Sequence, residues 1–192
     1  YLDDKGLISI CQYGFRKDHS TTYLMLDLFD RIYTSKSKSC RPGIIFLDIK
    51  KAFDTVNHNI LLSKLKHYGI KNIALDWFVS FLRGRKQQTR VGSRISNFTE
   101  ITSGVPQGSI LGPILFTIFI NDLPTACIQS TPYLFADDGA LYFNNIDREN
   151  YSNLKLEMKS IFKWLQANKL ALNCDKTNLL IFDSSNNLDD IP

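Results

Sequence analysis

The stretch PYLFADDGALYF, Pro132 to Phe143, places two adjacent aspartates, Asp137 and Asp138, inside an apolar and aromatic segment. Its flanks, at 133–136 and 140–143, predict two short strands, and Asp-Asp-Gly predicts the turn between them. Two neighbouring carboxylates repel each other, and their charge is costly beside an apolar core. The hairpin therefore indicates a compensating cation, with a divalent metal as the first candidate, although an Asp-Gly tip is also consistent with a solvated turn.

A third aspartate interrupts another apolar segment, GIIFLDI, at Gly43 to Ile49. A near-continuous apolar run of this length is typical of a strand buried on both faces of a central sheet. The carboxylate of Asp48 is costly there unless it is paired or bound to a metal. If the two strands are neighbours, Asp48, Asp137 and Asp138 converge on one edge of the sheet. Such a cluster can hold two Mg²⁺ ions about 3.5–4 Å apart for in-line phosphoryl transfer.

The composition is that of a globular protein, with 192 residues of which 44% are hydrophobic and 22% charged. The net charge of +4 permits a polyanionic partner without requiring one. The four cysteines are scattered and form no C-x-x-C pair, which predicts reduced core residues in an intracellular protein. The N-terminus lacks the apolar region of a secretory signal, and the most apolar run, Ile110 to Ile120, is too short to span a membrane, so no membrane partner is expected.

Apolar periodicity predicts helices at about 20–33, 58–69, 72–82, 113–122 and 148–168. The helix at 72–82 is expected to bury Ile73, Trp77, Phe78 and Phe81. The basic run at 83–86 suits either the helix C-terminus or a nucleic-acid backbone.

Shorter segments complete the prediction. Weak alternation on both sides of Gly92-Ser93 predicts a surface hairpin, and residues 170–182 predict two short strands around a polar turn that carries Lys176. The loop at 103–113 contains three glycines and two prolines, so its backbone can approach a ligand closely, although such a loop is often only a turn. Arg16 precedes the N-terminus of the first helix, where it suits either a phosphate group or solvent.

Five motifs occur in the order found in reverse transcriptases. They are Gly14-Phe15-Arg16 with Ser20-Thr21, then Phe46 to Asp54, Gly104 to Ser109, Phe135 to Asp138, and Leu172-Asn173 with Lys176-Thr177. The chain most resembles the enzymes of LINE-type, non-LTR retrotransposons, particularly the jockey-like group. Each motif alone is weak, but five in register make chance agreement implausible.

The resemblance implies the catalytic residues. Asp48, Asp137 and Asp138 would be the ligands of two Mg²⁺ ions, for which Mn²⁺ can substitute. Lys176 would face the leaving pyrophosphate as a charge partner or proton donor.

The resemblance also implies the substrate-binding residues. Lys51 and Ala52 would offer backbone N–H groups to the triphosphate. The ring of Phe53 would lie under the incoming sugar, where its bulk favours deoxyribonucleotides over ribonucleotides. Gln107 and Gly108 would line the pocket for nucleotide and template. Arg16 would contact phosphate or template.

The implied fold is α+β, the palm of a right-hand polymerase with an antiparallel sheet backed by helices, together with part of the fingers. The chain would be a single partial domain, in which residues 43–69 and 104–183 form the palm, residues 1–42 and 70–103 lie on the fingers side, and residues 184–192 form a tail.

The implied activity is that of an RNA-directed DNA polymerase, a nucleotidyltransferase that adds dNTPs to a DNA primer on an RNA template. By analogy it would act in the nucleus or cytoplasm. Upstream fingers strands, the primer grip and the thumb are missing from the match, so weak processive activity is expected of the isolated chain. The alternative is a catalytically inactive, truncated transposon-derived module that binds nucleic acid or other proteins. The sequence does not identify a protein partner.

Overall fold

The computed structural model of the protein describes residues 2–147 and 151–183. The strands are β1 (Gly43–Asp48), β2 (Lys86–Gln87), β3 (Arg90–Val91), β4 (Arg94–Ile95), β5 (Thr99–Glu100), β6 (Thr131–Phe135), β7 (Asp138–Phe143) and β8 (Asn178–Ile181). The helices are α1 (Thr21–Ser37), α2 (Ala52–Thr55), α3 (His58–His67), α4 (Ile73–Leu82), α5 (Leu111–Ile120) and α6 (Tyr151–Ala167), and a 3₁₀ turn, Leu123–Ala126, follows α5.

A four-stranded antiparallel sheet in the order β6-β7-β1-β8 forms the centre of the molecule. β1 and β7 pair along their whole length, from Gly43 opposite Phe143 to Asp48 opposite Asp138. β8 pairs with the other edge of β1, and β6 pairs with β7 through the predicted hairpin. The predicted antiparallel sheet is therefore confirmed, and the two aspartate-bearing strands are neighbours within it.

Helices cover both faces of this sheet. On one face, Leu28 and Ile32 of α1 pack against Ile44 of β1 and Tyr142 of β7. The opposite face carries the larger core, where the next residue of β1, Ile45, belongs to the cluster formed with α3, α5 and α6. Successive residues of a strand point to opposite faces, so β1 supplies both cores. At the aspartate end of the α1 face, Phe46 remains 41% exposed, and the sheet is open there.

Side-chain caps fix the predicted helix starts. Ser20 accepts a hydrogen bond from the backbone N–H of Tyr23 at the start of α1, and Asn57 accepts one from Ile60 at the start of α3. α1 continues four residues beyond its predicted end. α5 begins two residues before its predicted start, and most of its side chains are buried.

α4 is less buried than its sequence predicts. Of its ten residues only Leu82 is fully buried, while Ile73 is 86% and Trp77 51% exposed. The expectation that Ile73 and Trp77 enter the core is wrong. The helix is apolar nearly all round, so its sequence does not distinguish the face that packs on the core, with Phe78 and Val79, from the face that does not.

The surface hairpin at 86–103 is confirmed. β2 pairs with β5 and β3 with β4, and Gly92 takes a positive φ at the tip. Of the two short strands predicted within residues 170–182, only β8 forms, and the first is reduced to a single bridge between Leu172 and Ile49. The cysteines are free, as predicted, and Cys127 packs against the larger core, but Cys174 is exposed, so its assignment to the core is wrong.

Two predictions fall partly outside the described residues. The predicted helix at 148–168 is described only from Tyr151, and the predicted tail at 184–192 lies wholly outside. Within the described part of the chain, no helix has the length and apolar character needed to cross a membrane.

Candidate active site

Two of the three predicted metal ligands face each other across β1 and β7. Asp48 and Asp138 are directly paired, and paired residues of antiparallel strands point to the same face with their Cβ atoms about 5 Å apart. Asp137 precedes Asp138 in the turn. The turn itself differs from the prediction, because Ala136 and Asp137 form it while Asp138 and Gly139 already belong to β7. Ala136 adopts the left-handed conformation, with φ of 58°.

The carboxylates are close enough to affect one another. Partial burial raises the pKa of Asp138, and the negative charges of Asp137 and Asp48 raise that pKa further. Among the ion pairs found in residues 2–147 and 151–183, none involves these three aspartates. A bound cation would relieve this repulsion.

Asn173 holds Asp48 by two hydrogen bonds. Its side-chain Nδ2 donates to Oδ2 of Asp48 at 2.7 Å, and its backbone N–H donates to the Asp48 carbonyl at 2.8 Å. The first bond fixes one carboxylate oxygen, and the other oxygen is left for a further ligand. The sequence placed Asn173 in a matching motif without a role, because the contact joins residues 125 positions apart.

A cavity of about 470 Å³ opens beside the paired carboxylates. Asp48, Asp138 and Lys176 line it together with apolar side chains that include Phe46 and Phe135. Asp137 instead lines a small apolar void beside Leu47 and Leu134.

The donor set suits an oxygen-preferring ion such as Mg²⁺, but the side chains are not gathered around one point. In the described ranges, no group of three or more His, Cys, Asp or Glu residues is arranged to hold a metal ion. A metal bound by all three aspartates would require the Asp137 carboxylate to turn toward the side where Asp48 and Asp138 lie.

The predicted nucleotide-pocket residues surround the turn after β1. Lys51 adopts the left-handed backbone conformation directly before α2. The first residue of α2, Ala52, is buried. The Phe53 ring stacks on Phe116 of α5, with ring centroids 4.4 Å apart. This contact fixes the position of the Phe53 ring at the edge of the core.

The glycine-rich loop docks onto the same turn through Asp54. Gln107 donates from Nε2 to Oδ1 of Asp54 at 2.7 Å, and the Ser103 hydroxyl donates to the Asp54 carbonyl. Gly104 has φ of +89°, and a Cβ there would lie 2.8 Å from the Asp54 carbonyl oxygen, so this close approach requires glycine. Gly108 also has a positive φ and is exposed.

A second cavity, of about 650 Å³, lies beside this loop. Lys51, Asp54 and Gln107 line it, and Arg85 contributes a positive charge from the start of the surface hairpin. His58 is buried near the loop and donates from Nε2 to the Gly104 carbonyl at 2.7 Å, which gives it a structural role there.

The chain matches the family model described as "Reverse transcriptase (RNA-dependent DNA polymerase)" over residues 3–187. It belongs to the reverse transcriptase family. The match includes the aspartate hairpin, β1 and the glycine-rich loop, so the resemblance predicted from five motifs is confirmed.

Relatives of this reverse transcriptase domain include transposon proteins. It is 28% identical over 189 residues to "Probable RNA-directed DNA polymerase from transposon X-element" of Drosophila melanogaster, a match that covers 94% of this chain and 20% of the relative. It is 37% identical over 113 residues to "RNA-directed DNA polymerase from mobile element jockey" of Drosophila funebris, which covers 59% of this chain and 12% of the relative. The chain thus spans a fifth or less of the length of these relatives.

Among solved structures, telomerase from Candida tropicalis, in complex with a TWJ fragment of telomeric RNA, has a TM-score of 0.67 and 14% identity. The match covers 96% of the reverse transcriptase domain described here and 32% of the telomerase chain. At this identity the likeness establishes the fold alone, and it agrees with the α+β, palm-like architecture. The reverse transcriptase family generally uses divalent metal ions.

The remaining predicted site residue, Arg16, is engaged within the reverse transcriptase domain. Its guanidinium bonds to Asp3 at 3.0 Å and to the carbonyls of Ser9 and Gln12, and the side chain is 14% exposed. Arg16 lines neither of the two cavities described above. Its contact with phosphate or template stays a prediction.

Gln12 is a further residue whose part in the site the sequence did not reveal. Its side chain is fully buried, and its Oε1 accepts from the backbone N–H groups of Gly14 and Ala136. The second bond holds the turn that carries Asp137. The sequence does not single out Gln12 or Asp54, because the hydrogen bonds that give them a part in the site are made to residues far along the chain.

Proposed function

We propose that this chain is the palm, with part of the fingers, of an RNA-directed DNA polymerase that adds dNTPs to the 3′-hydroxyl of a DNA primer on an RNA template. The observation that carries the proposal is the pairing of Asp48 with Asp138 on adjacent strands, with Asp137 next to them, in a member of the reverse transcriptase family. Residues 43–69 and 104–183 form the palm in this proposal, and their segments supply all four strands of the central sheet.

Asp48, Asp137 and Asp138 would hold two Mg²⁺ ions, or Mn²⁺ in their place, since carboxylate oxygens are the ligands that these ions prefer. When bound, the ions neutralise charge on the triphosphate and favour in-line attack by the primer hydroxyl. Asn173 would keep the Asp48 carboxylate in one orientation throughout, because its amide is already bonded to Oδ2.

The other predicted residues would bind the nucleotide. Lys176 lines the cavity beside Asp48 and Asp138, where its ammonium group would offset charge on the leaving pyrophosphate. Phe53, fixed by its stacking on Phe116, would exclude a 2′-hydroxyl. Gln107, held by Asp54, would face the nucleotide and template.

Two measurements test this function. Mn²⁺ binding, followed by electron paramagnetic resonance, should weaken at least about 10-fold in Asp48→Asn and Asp138→Asn and stay unchanged in Asp175→Asn. Primer extension on an RNA template with dNTPs should be lost in Asp137→Asn and retained in Asp175→Asn. Asp175 is a matched control, because it is an exposed aspartate next to Lys176.

Two results would overturn the proposal. One is Mn²⁺ binding that does not depend on Asp48 and Asp138. The other is full extension by the Asp137→Asn variant.

A further inference from the structure

A column of side chains runs along α4 and into the segment that follows it; its members Ile73 and Trp77 are exposed, whereas Phe81 is partly buried against the larger core. Ile73, Trp77 and Phe81 follow one another at intervals of four residues, which places them on one side of α4, and Arg85 lies three residues beyond the end of the helix. The rings of Trp77 and Phe81 are stacked, with centroids 5.4 Å apart and planes inclined by 12°, and the Arg85 guanidinium lies 5.8 Å from the Phe81 centroid. Trp77 is 51% exposed, so an unusually large aromatic surface faces solvent.

The positive charge of the chain is concentrated around this column. Residues 71–100 contain six cations and two acids, and their net charge of +4 equals that of all 192 residues. The rest of the chain is therefore neutral overall. Arg85, Arg90 and Arg94 are exposed, and the last two lie on the surface hairpin that follows α4. Along this segment of the chain, the aromatic side chains of α4 are thus followed directly by exposed cations.

This surface adjoins the candidate active site. Arg85, which follows α4 and contacts the Phe81 ring, also lines the 650 Å³ cavity that contains Lys51 and Gln107. Gln87 and Glu100, at the base of the hairpin, line the same cavity. A chain lying along α4 and passing Arg85 would therefore reach the loop that carries Gln107.

We propose that the α4–hairpin surface, formed by Trp77, Phe81, Arg85, Arg90 and Arg94, binds single-stranded nucleic acid leading to the active site. Bases stack on Trp77, and phosphates contact the three arginines, as is general for proteins that bind single strands without reading their sequence. The role of this strand as template depends on the proposed polymerase function, but its binding does not.

The same features argue against other occupants. A second copy of the chain would bring the same positive surface against this one, and the like charges would repel each other. The core of a protein interface is depleted of charge, whereas arginines here flank the aromatic column.

The stacking part is tested with fluorescently labelled oligo(U) and oligo(dT), whose binding to the chain is followed by fluorescence anisotropy. Trp77→Ala should weaken binding about 10-fold. The matched control is Phe162→Ala, which removes an aromatic ring of similar exposure, 52%, from α6, and it should leave binding unchanged. With Trp164→Phe, Trp77 is the single tryptophan, and its fluorescence should be quenched by oligo(dT).

The charge part is tested by two triple variants that lose the same charge. Arg85→Gln/Arg90→Gln/Arg94→Gln should lower the slope of log affinity against log salt concentration by about 2, since each phosphate contact contributes about 0.7 for a single strand. The control, Lys155→Gln/Lys159→Gln/Lys163→Gln, removes three exposed cations of α6 and should leave the slope unchanged.

Three results would overturn the proposal. They are equal loss of binding in the two triple variants, equal binding by Trp77→Ala and wild type, and a dimer in sedimentation that Trp77→Ala dissociates. Far-UV circular dichroism of each variant identifies any that fail to fold, and the quenching of Trp77 in the otherwise intact surface then decides. Asp138→Asn separates this proposal from the polymerase function, because it should abolish extension and retain oligonucleotide binding.

Discussion

Asn173 connects the C-terminal segment to the end of β1 that carries Asp48. Asn173 Nδ2 donates to Asp48 Oδ2, while the Asn173 backbone donates to the carbonyl of the same residue. Groups that orient a metal ligand typically change metal affinity 10- to 100-fold when removed. Asn173 would therefore be a positioning residue, since it would act on the proposed metal site only through Asp48.

We expect Asn173→Ala to weaken Mn²⁺ binding about 10-fold, because the freed Asp48 carboxylate loses its fixed orientation. Titration followed by electron paramagnetic resonance measures this. Asn178→Ala is the matched control, since the Asn178 side chain lies in the same C-terminal segment and donates only to the Lys176 carbonyl. Equal affinities for the two variants would contradict the assigned role.

The thiol of Cys127 should react much more slowly than that of the exposed Cys174. Burial raises the pKa of Cys127 to about 11, with a further contribution from the charge of Glu157. At pH 8 such a thiol is about 0.1% thiolate, against about a quarter for an unperturbed thiol. Peptide mapping after brief iodoacetamide treatment should find Cys174 labelled and Cys127 free, and urea should abolish the difference. Equal labelling in the folded protein would contradict the prediction.

The three aspartates could be identified from the sequence because a carboxylate within an apolar strand costs free energy unless it is paired or bound to a metal. Asn173 and Asp54 could not be found in the same way. Their hydrogen bonds span 125 and 53 residues, and amides and carboxylates in polar turns are common on any surface. Only the fold reveals which of them hold the site.

At the scale of elements, one buried carboxylate fixes the entry into the aspartate hairpin. Glu157 of α6 is fully buried and accepts hydrogen bonds from the backbone N–H groups of Ile128, Gln129 and Ser130 and from the Ser130 hydroxyl. These residues directly precede β6. The helix therefore holds the loop from which the hairpin starts.

Glu157→Ala should lower the free energy of unfolding by about 3 kcal/mol, because it removes the buried acceptor of four part-buried hydrogen bonds. For a domain of this size the melting temperature should fall by roughly 6–12 °C. Glu157→Gln keeps one acceptor oxygen and should lose less. A fall of under about 1 kcal/mol in the alanine variant, measured by urea denaturation, would contradict this account.

The ends of helices and hairpins were predicted correctly where a local cap or turn residue sets them. The buried face of a helix was predicted wrongly where tertiary packing sets it. Ser20 and Gly92 mark a helix start and a hairpin tip through their own chemistry. The outer face of α4 was assigned to the core because Ile73 and Trp77 are apolar. The turn at Asp137 was displaced by one residue, because pairing with β1 draws Asp138 into the strand.

At the scale of the whole molecule, the two cores share one sheet. Ile44 and Ile45 of β1 enter opposite cores, so neither core can form without β1 in place. α4 joins the larger core through Leu82. This arrangement favours unfolding in a single cooperative transition.

The two tryptophans test that expectation. Trp77 reports on α4 at the surface, and Trp164 lies against the larger core. Trp164→Phe and Trp77→Phe each leave one reporter, and the urea transition of each variant seen by fluorescence should coincide with its own transition seen by circular dichroism. An earlier fluorescence transition for Trp77 alone would show that α4 unfolds separately.

The overall fold was predictable because the order of five motifs restricts the topology, although no single helix or strand does so. Burial of β1 on both faces was predicted from its continuous apolar run, but the helix that covers the second face was not, since the apolar residues of α1 do not indicate which surface they cover.

The left-handed Ala136 narrows the range of sequences that the aspartate hairpin can accept. This conformation destabilises a residue with a Cβ by roughly 1–2 kcal/mol, and a β-branched residue by more. We therefore expect glycine or asparagine at position 136 to preserve stability and valine to lower it. Gly14 lies against the same peptide, where a Cβ would come within 2.4 Å of the Ala136 nitrogen. The residues tolerated at these two distant positions are therefore linked. A larger residue at position 14 would fit only if the hairpin tip moved, and that movement would displace the carboxylates that the hairpin carries.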